Sequence, residues 1–190
     1  MKTRLTQLII FLSFLLLLSA CSQNTNESPN SNNADNNGET QQEEQTETET
    51  VILYYSDNEL MNIYKINAEI QVESEKQLEQ AAIDAWIAGP ESDGLTSLLP
   101  SGTTAEFVRS EEGTAYVSFS EQIRSATVGS GGEAAIVDQI TMLMEQFGYD
   151  RTQILVEGEV VSELLGHMTY DEPFEARSKD DFEWYNESVS

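Results

Sequence analysis

Ser74-Glu75-Lys76-Gln77-Leu78-Glu79-Gln80-Ala81-Ala82-Ile83-Asp84-Ala85-Trp86-Ile87-Ala88-Gly89-Pro90 reads as a helix with both ends marked. Leu78, Ala81, Ala82, Ala85 and Trp86 fall on one face at helical spacing. Ser74 and Gln77 fit a capping box, in which two side chains satisfy exposed amides at a helix start. Gly89-Pro90 ends the run, because proline has no N–H to continue the ladder. Strand-like segments lie on both sides. Val51–Tyr55 reads as a first strand, and Ile63–Val72 is a weaker extended region with room for a second. Thr103–Arg109 and Thr114–Ser120 form a hairpin around Glu111-Glu112-Gly113, with Ala115, Val117 and Phe119 on one face and Tyr116 and Ser118 on the other.

A second helix is expected over Glu133–Phe147, with Ile136, Ile140, Leu143, Met144 and Phe147 inward and Ser130 with Glu133 as its capping box. Gln153–Glu157 is a further strand, turning at Gly158 toward Val160-Val161. This order of strands and helices predicts an α/β layer fold over residues 51–177, with two helices on one face of a small mixed sheet.

Several of these segments together resemble the GerMN domain of bacterial sporulation and spore-germination lipoproteins. They are Tyr54-Tyr55, Ala85-Trp86-Ile87-Ala88-Gly89-Pro90, Leu99-Pro100-Ser101-Gly102-Thr103, Gly113 through Ser120, and Ile154-Leu155-Val156-Glu157-Gly158. Their order and spacing span nearly the whole of Val51–Arg177. The resemblance implies a compact α/β domain related in shape to ring-building modules of envelope complexes. It implies no agreed catalytic residues, and the chain carries one such domain with no internal repeat.

Residues 1–20 read as a secretory signal, with Lys2 and Arg4 preceding an apolar run from Leu8 to Leu18. Leu18-Ser19-Ala20-Cys21 resembles the bacterial lipobox, whose cysteine thiol carries a diacylglyceryl group. Cys21 is the only cysteine in the chain and is the expected lipid-attachment residue. Two acyl chains hold a protein stably where one holds it marginally, at ~0.8 kcal/mol per buried CH₂. The apolar run is shorter than the ~20 residues a membrane-crossing helix needs. The domain is therefore expected outside the cell, anchored at the outer face of the cytoplasmic membrane. No second cysteine remains for an intramolecular disulfide.

The formal charge is −25, and losing Lys2 and Arg4 with the leader takes it to −27. Such a balance argues against nucleic acid as partner, since its binders cluster Lys and Arg. It also argues against an electrostatic grip on anionic lipids. Residues 21–50 are rich in Asn, Gln, Thr and Glu, with Ala34 their only aliphatic side chain after Cys21. They read as a disordered tether spanning about 30 Å as a flexible coil.

No catalytic, cofactor or metal site is expected. His167 is the only histidine and reads as a surface or turn residue, without the partners a zinc site requires. Gly129-Ser130-Gly131-Gly132 precedes a helix but lacks the P-loop ending, and Glu133 would repel phosphate. Glu111-Glu112 and Asp180-Asp181 show no spacing that marks a glycosidase pair. Asp57-Asn58-Glu59 offers hard oxygens without a full calcium-loop pattern. The acidic tail 178–190 contains Phe182, Trp184 and Tyr185, which are expected to pack back on the domain or stay disordered in preference to docking on a partner.

These readings favour a noncatalytic, membrane-anchored lipoprotein that binds an unidentified envelope protein in sporulation, germination or envelope assembly. A sensor of small molecules or wall fragments is the alternative. A carboxylate-dependent wall hydrolase ranks third.

Overall fold

The computed structural model describes residues 46–73 and 77–186. Cys21, the leader, most of the tether and Ser74 of the first capping box lie outside them. The elements in chain order are β1 (Thr46–Asp57), β2 (Ile63–Glu73), α1 (Leu78–Ala88), β3 (Leu95–Thr96), β4 (Ala105–Glu111), β5 (Thr114–Phe119), α2 (Ser130–Glu145), β6 (Arg151–Val156), β7 (Glu159–Val160), β8 (Phe174–Glu175) and β9 (Glu183–Trp184).

The class is α/β, as the pattern implies, but the strands divide between two mixed sheets. One has the order β3-β1-β2-β9, and the other runs β4-β5-β6-β7 with β8 also on β6. Alternation tells which face a strand buries but not which strand lies beside it. That is why one sheet was expected and two are found. The parallel β5–β6 pair is bridged by α2, since parallel neighbours need a long crossover.

β2 is a full strand over eleven residues, paired to β1 from Thr46↔Glu73 to Ser56↔Ile63. Its outer half alternates exposed Asn67, Glu69, Gln71 and Glu73 with more buried Ala68, Ile70 and Val72. β1 begins at Thr46, inside the stretch read as tether. Its first five residues are exposed, so they join the fold through backbone pairing, a contribution that composition does not register.

The first strand and the first helix lock each other. Trp86 is 1% exposed, and its Nε1 donates to the Tyr54 carbonyl at 3.1 Å and to Gln139 Oε1 at 3.2 Å. The Tyr55 hydroxyl donates to the carbonyls of Ala85 and Trp86 at 3.2 and 3.0 Å. It thereby satisfies acceptors that a helix end leaves open. Gly89, at φ +91°, donates to Trp86 O at 3.2 Å and turns the chain away. Tyr54-Tyr55 and Ala85–Pro90 are thus two halves of one junction. Desolvation pushes both tyrosine hydroxyls up, with Glu145 adding to the rise at Tyr54, whose pKa reaches about 12.

α2 is buried on more than one side. Ile136, Ile140, Leu143 and Met144 enter the main core as expected, and Phe147 packs partly buried against it. Met142 instead meets Tyr54 and Phe182 in a second, smaller cluster. At the helix end, Gln146 accepts from the Ile52 amide and donates to its carbonyl, both at 2.9 Å. The side-chain amide takes the place of a strand neighbour there.

The expected Ser130–Glu133 capping box is not formed, and the Ser74–Gln77 box lies partly outside the described residues. Gln77 and Gly129 occupy the N-cap positions without a side-chain cap. Glu133 is fully buried and turns toward the C-terminal loop: Oε1 accepts from Leu165 N and Oε2 from His167 N, each at 3.1 Å. A carboxylate in the first helical turn also suits the helix dipole. The Tyr170 hydroxyl lies near enough to feel this charge, yet closes no hydrogen bond of good geometry among the described residues.

Residues 178–186 of the segment read as a tail are part of the fold. β9 pairs in parallel with β2 through Tyr64↔Glu183 and Lys65↔Trp184. Phe182 is 4% exposed. Arg177 fastens the approach, reaching Asp138 on α2 at 3.0 Å and Asp181 at 3.3 Å. Ser178 Oγ accepts from Asp180 N at 3.3 Å at the turn before β9. Packing back on the domain is the outcome for Phe182 and Tyr185, and Trp184 remains half exposed.

Candidate functional site

The β1–β2 turn, Asp57–Asn62, stands where three surface concavities meet. Asp57 builds the turn. Its Oδ1 accepts from Met61 N at 2.8 Å and its Oδ2 from Asn62 Nδ2 at 2.9 Å. Its carbonyl accepts from Leu60 N, and its amide donates to Asn62 O. Burial pushes the Asp57 pKa up. The Asn62 side chain and the amides of Met61, Asn62 and Leu60 outweigh that, and the net shift is downward.

This tight turn holds Leu60 at φ +57°, a left-handed conformation costly for a residue with a Cβ. It also pushes Leu60 and Met61 outward, 49% and 78% exposed. With Trp184, they account for three of the four large hydrophobic side chains exposed among the described residues. Concentrated exposed apolar surface is a mark of interaction sites.

One of these concavities, about 420 Å³, lies between this turn, the loop before β3, and β9. Tyr64, Trp184 and Tyr185 supply aromatic walls, and Asp57, Glu59 and Glu183 supply carboxylates. Tyr185 is placed by three contacts. Its amide donates to Lys65 O at 3.0 Å, and its ring meets Tyr64 edge to face at 5.7 Å. Its hydroxyl fills the space over Gly94 where a Cβ would stand. Asn58 Nδ2 closes the rim onto Asp93 O at 2.8 Å.

The structure separates most residues flagged in the sequence. His167 is exposed in the 161–170 loop and contributes its backbone amide to Glu133. Glu112 and Gly113 form the β4–β5 turn at φ +48° and +76°, a hairpin role. Gly132 is held close against Val128, a packing role at the α2 start, whereas Gly129 and Gly131 face open space. No group of three His, Cys, Asp or Glu among the described residues is placed to hold a metal. Asp57-Asn58-Glu59 and the aromatic segment at Trp184, distant in sequence, come together around one cavity. Sequence inspection missed Leu60, Met61 and Tyr64. Two apolar residues inside an otherwise polar turn were the available signal.

The family model Germane, described as sporulation and spore germination, matches residues 52–162. No curated protein matches. Among solved structures, the tandem GerMN domains of the sporulation protein GerM from Bacillus subtilis superpose with a TM-score of 0.51 at 20% identity. That match covers 72% of this chain and 46% of the tandem chain, so this chain spans about half of its length. A candidate lipoprotein from Clostridium perfringens matches at 23% identity and TM-score 0.47, covering 72% of this chain and 89% of that one. The first GerMN domain of the same Bacillus subtilis protein matches at 20% identity and TM-score 0.45, covering 72% and 98%. The family match ends at residue 162, before the segment that carries β8 and β9.

Proposed function

The chain belongs to the Germane family of sporulation and spore germination, and on that premise we propose that it is a noncatalytic, lipid-anchored module that binds another envelope protein outside the cytoplasmic membrane. The observation that carries this reading is the family match over residues 52–162. It is supported by Cys21 at the end of Leu18-Ser19-Ala20-Cys21, which supplies a lipid attachment point. No described helix is long and apolar enough to cross a membrane, which fits anchoring by lipid. The exposed Leu60, Met61 and Trp184 at one end of the first sheet supply apolar contact area for a partner.

Two experiments test the proposal. Crosslinking in native membranes of sporulating and vegetative cells is expected to trap one reproducible protein; none under either condition overturns partner binding. Cys21→Ser is expected to release the protein from membranes with its fold unchanged. Full retention of the variant in the membrane fraction overturns anchoring through Cys21.

A further inference from the structure

Resting on the proposed partner-binding role, we propose that the cavity beside β9 receives an arginine side chain presented by the partner protein. Among the described residues that line it, Asp57, Glu59 and Glu183 carry carboxylates and none is Lys, Arg or His. Three more, Tyr64, Trp184 and Tyr185, are aromatic. Flat aromatic faces beside carboxylates suit a guanidinium, which stacks on rings and pairs with carboxylates through its planar fork. An anion would meet three negative charges, and a chain of net charge −25 adds to that repulsion at longer range.

Lys65, beside the Trp184 ring, does not fill this space. Lys65 donates its Nζ to Lys179 O at 2.8 Å and stands 5.2 Å over the Trp184 ring, without lining the cavity. Asp57 is already engaged with Met61 and Asn62, so it sets the shape of the turn. Glu59 and Glu183 are exposed and supply the free charge at the rim. Leu60 and Met61, on the same turn, offer aliphatic surface to residues flanking the arginine. That adjacency favours a side chain on a protein over a free cation.

The wall is built partly by a segment beyond the family match. Glu183, Trp184 and Tyr185 follow residue 162, whereas Asp57, Glu59 and Tyr64 lie within the match. The site therefore combines residues inside the family match with residues that follow it.

The test uses the full-length lipidated chain, purified in neutral detergent and labelled with nitrogen-15 at its two tryptophans. Trp184→Phe identifies which of the two indole N–H signals belongs to Trp184. The probe is acetyl-Gly-Arg-Gly-amide, and the control is the same peptide with citrulline, an uncharged near-isostere. The arginine peptide is expected to shift the Trp184 signal saturably while the buried Trp86 signal stays fixed. Glu59→Gln and Glu183→Gln should each weaken this binding about threefold, the scale of exposed charge pairs.

An equal response to citrulline, no saturable shift, or affinity unchanged in both variants overturns the proposal. Tighter binding of free arginine than of the peptide overturns the protein partner as its source. If membrane crosslinking traps a partner while the peptide fails, the partner-binding role stands and only this site falls. If the peptide binds but no partner is trapped, the site survives as a cation pocket and the proposal of a partner's arginine fails.

Discussion

Phe182 meets Tyr54 edge to face, with ring centroids 5.4 Å apart, and so ties the C-terminal segment to the second half of the first strand. Met142 of α2 completes the contact. The three residues come from the beginning, middle and end of the domain, and the cavity wall at Trp184 hangs from this anchor.

Phe182→Ala should accordingly destabilise the protein by ~3 kcal/mol, the usual cost of emptying a buried aromatic site. The loss is checked by urea unfolding. Faster amide exchange at Tyr185, whose N–H bonds Lys65 O, should accompany it. Unchanged exchange there would mean that β9 holds its place without the anchor.

Glu133→Ala removes the acceptor for two backbone amides at once, Leu165 and His167. Charge-assisted bonds of this kind contribute ~1.5–3 kcal/mol each, so a total loss of ~3 kcal/mol is a conservative expectation. The measurement that separates this from general loosening is residue-resolved hydrogen exchange. Protection should fall at Leu165 and His167 more than at the β5–β6 pair.

Asp57 gives a pH dependence of defined sign. Its native pKa lies below the unfolded value, so its contribution is fully present above about 4 and is lost as pH falls through the lower native value. D57N should cost ~1 kcal/mol at neutral pH. The gap between the two proteins in urea midpoint should close in strong acid. A gap constant down to pH 2 would show that hydrogen bonding to Asp57 does not depend on its charge.

Gly94→Ala places a methyl where the Tyr185 hydroxyl packs. Tyr185, which packs partly buried at the edge of the main core, must turn aside, reshaping the cavity. Peptide affinity should fall at least about threefold, with a thermal midpoint shift of no more than a few degrees. A large drop in stability would instead place Gly94 among the folding determinants.

The local elements were legible because their signals are local. Leu78, Ala81, Ala82, Ala85 and Trp86 mark α1 by spacing alone, and Glu112-Gly113 marks a tight hairpin turn. The β2 alternation was present in the sequence but ran among polar residues with little apolar weight. Ser130 and Glu133 matched a capping pattern, yet Glu133 had a stronger use in the amides of Leu165 and His167. Those donors are remote in sequence and come close only after the C-terminal loop folds over α2.

By itself, the sequence determined the α/β class, the two helices and the family, because periodicity and turn chemistry act over a few residues. It also determined the acidic balance and the position of Cys21. Only the tertiary structure decided that the strands form two sheets, that the acidic tail supplies β9, and that Asp57, Glu59, Tyr64 and Trp184 share one cavity. Those outcomes depend on contacts between residues far apart in the chain. Such contacts form where buried area and satisfied backbone bonds outweigh ordering entropy, a balance that no short window of sequence displays.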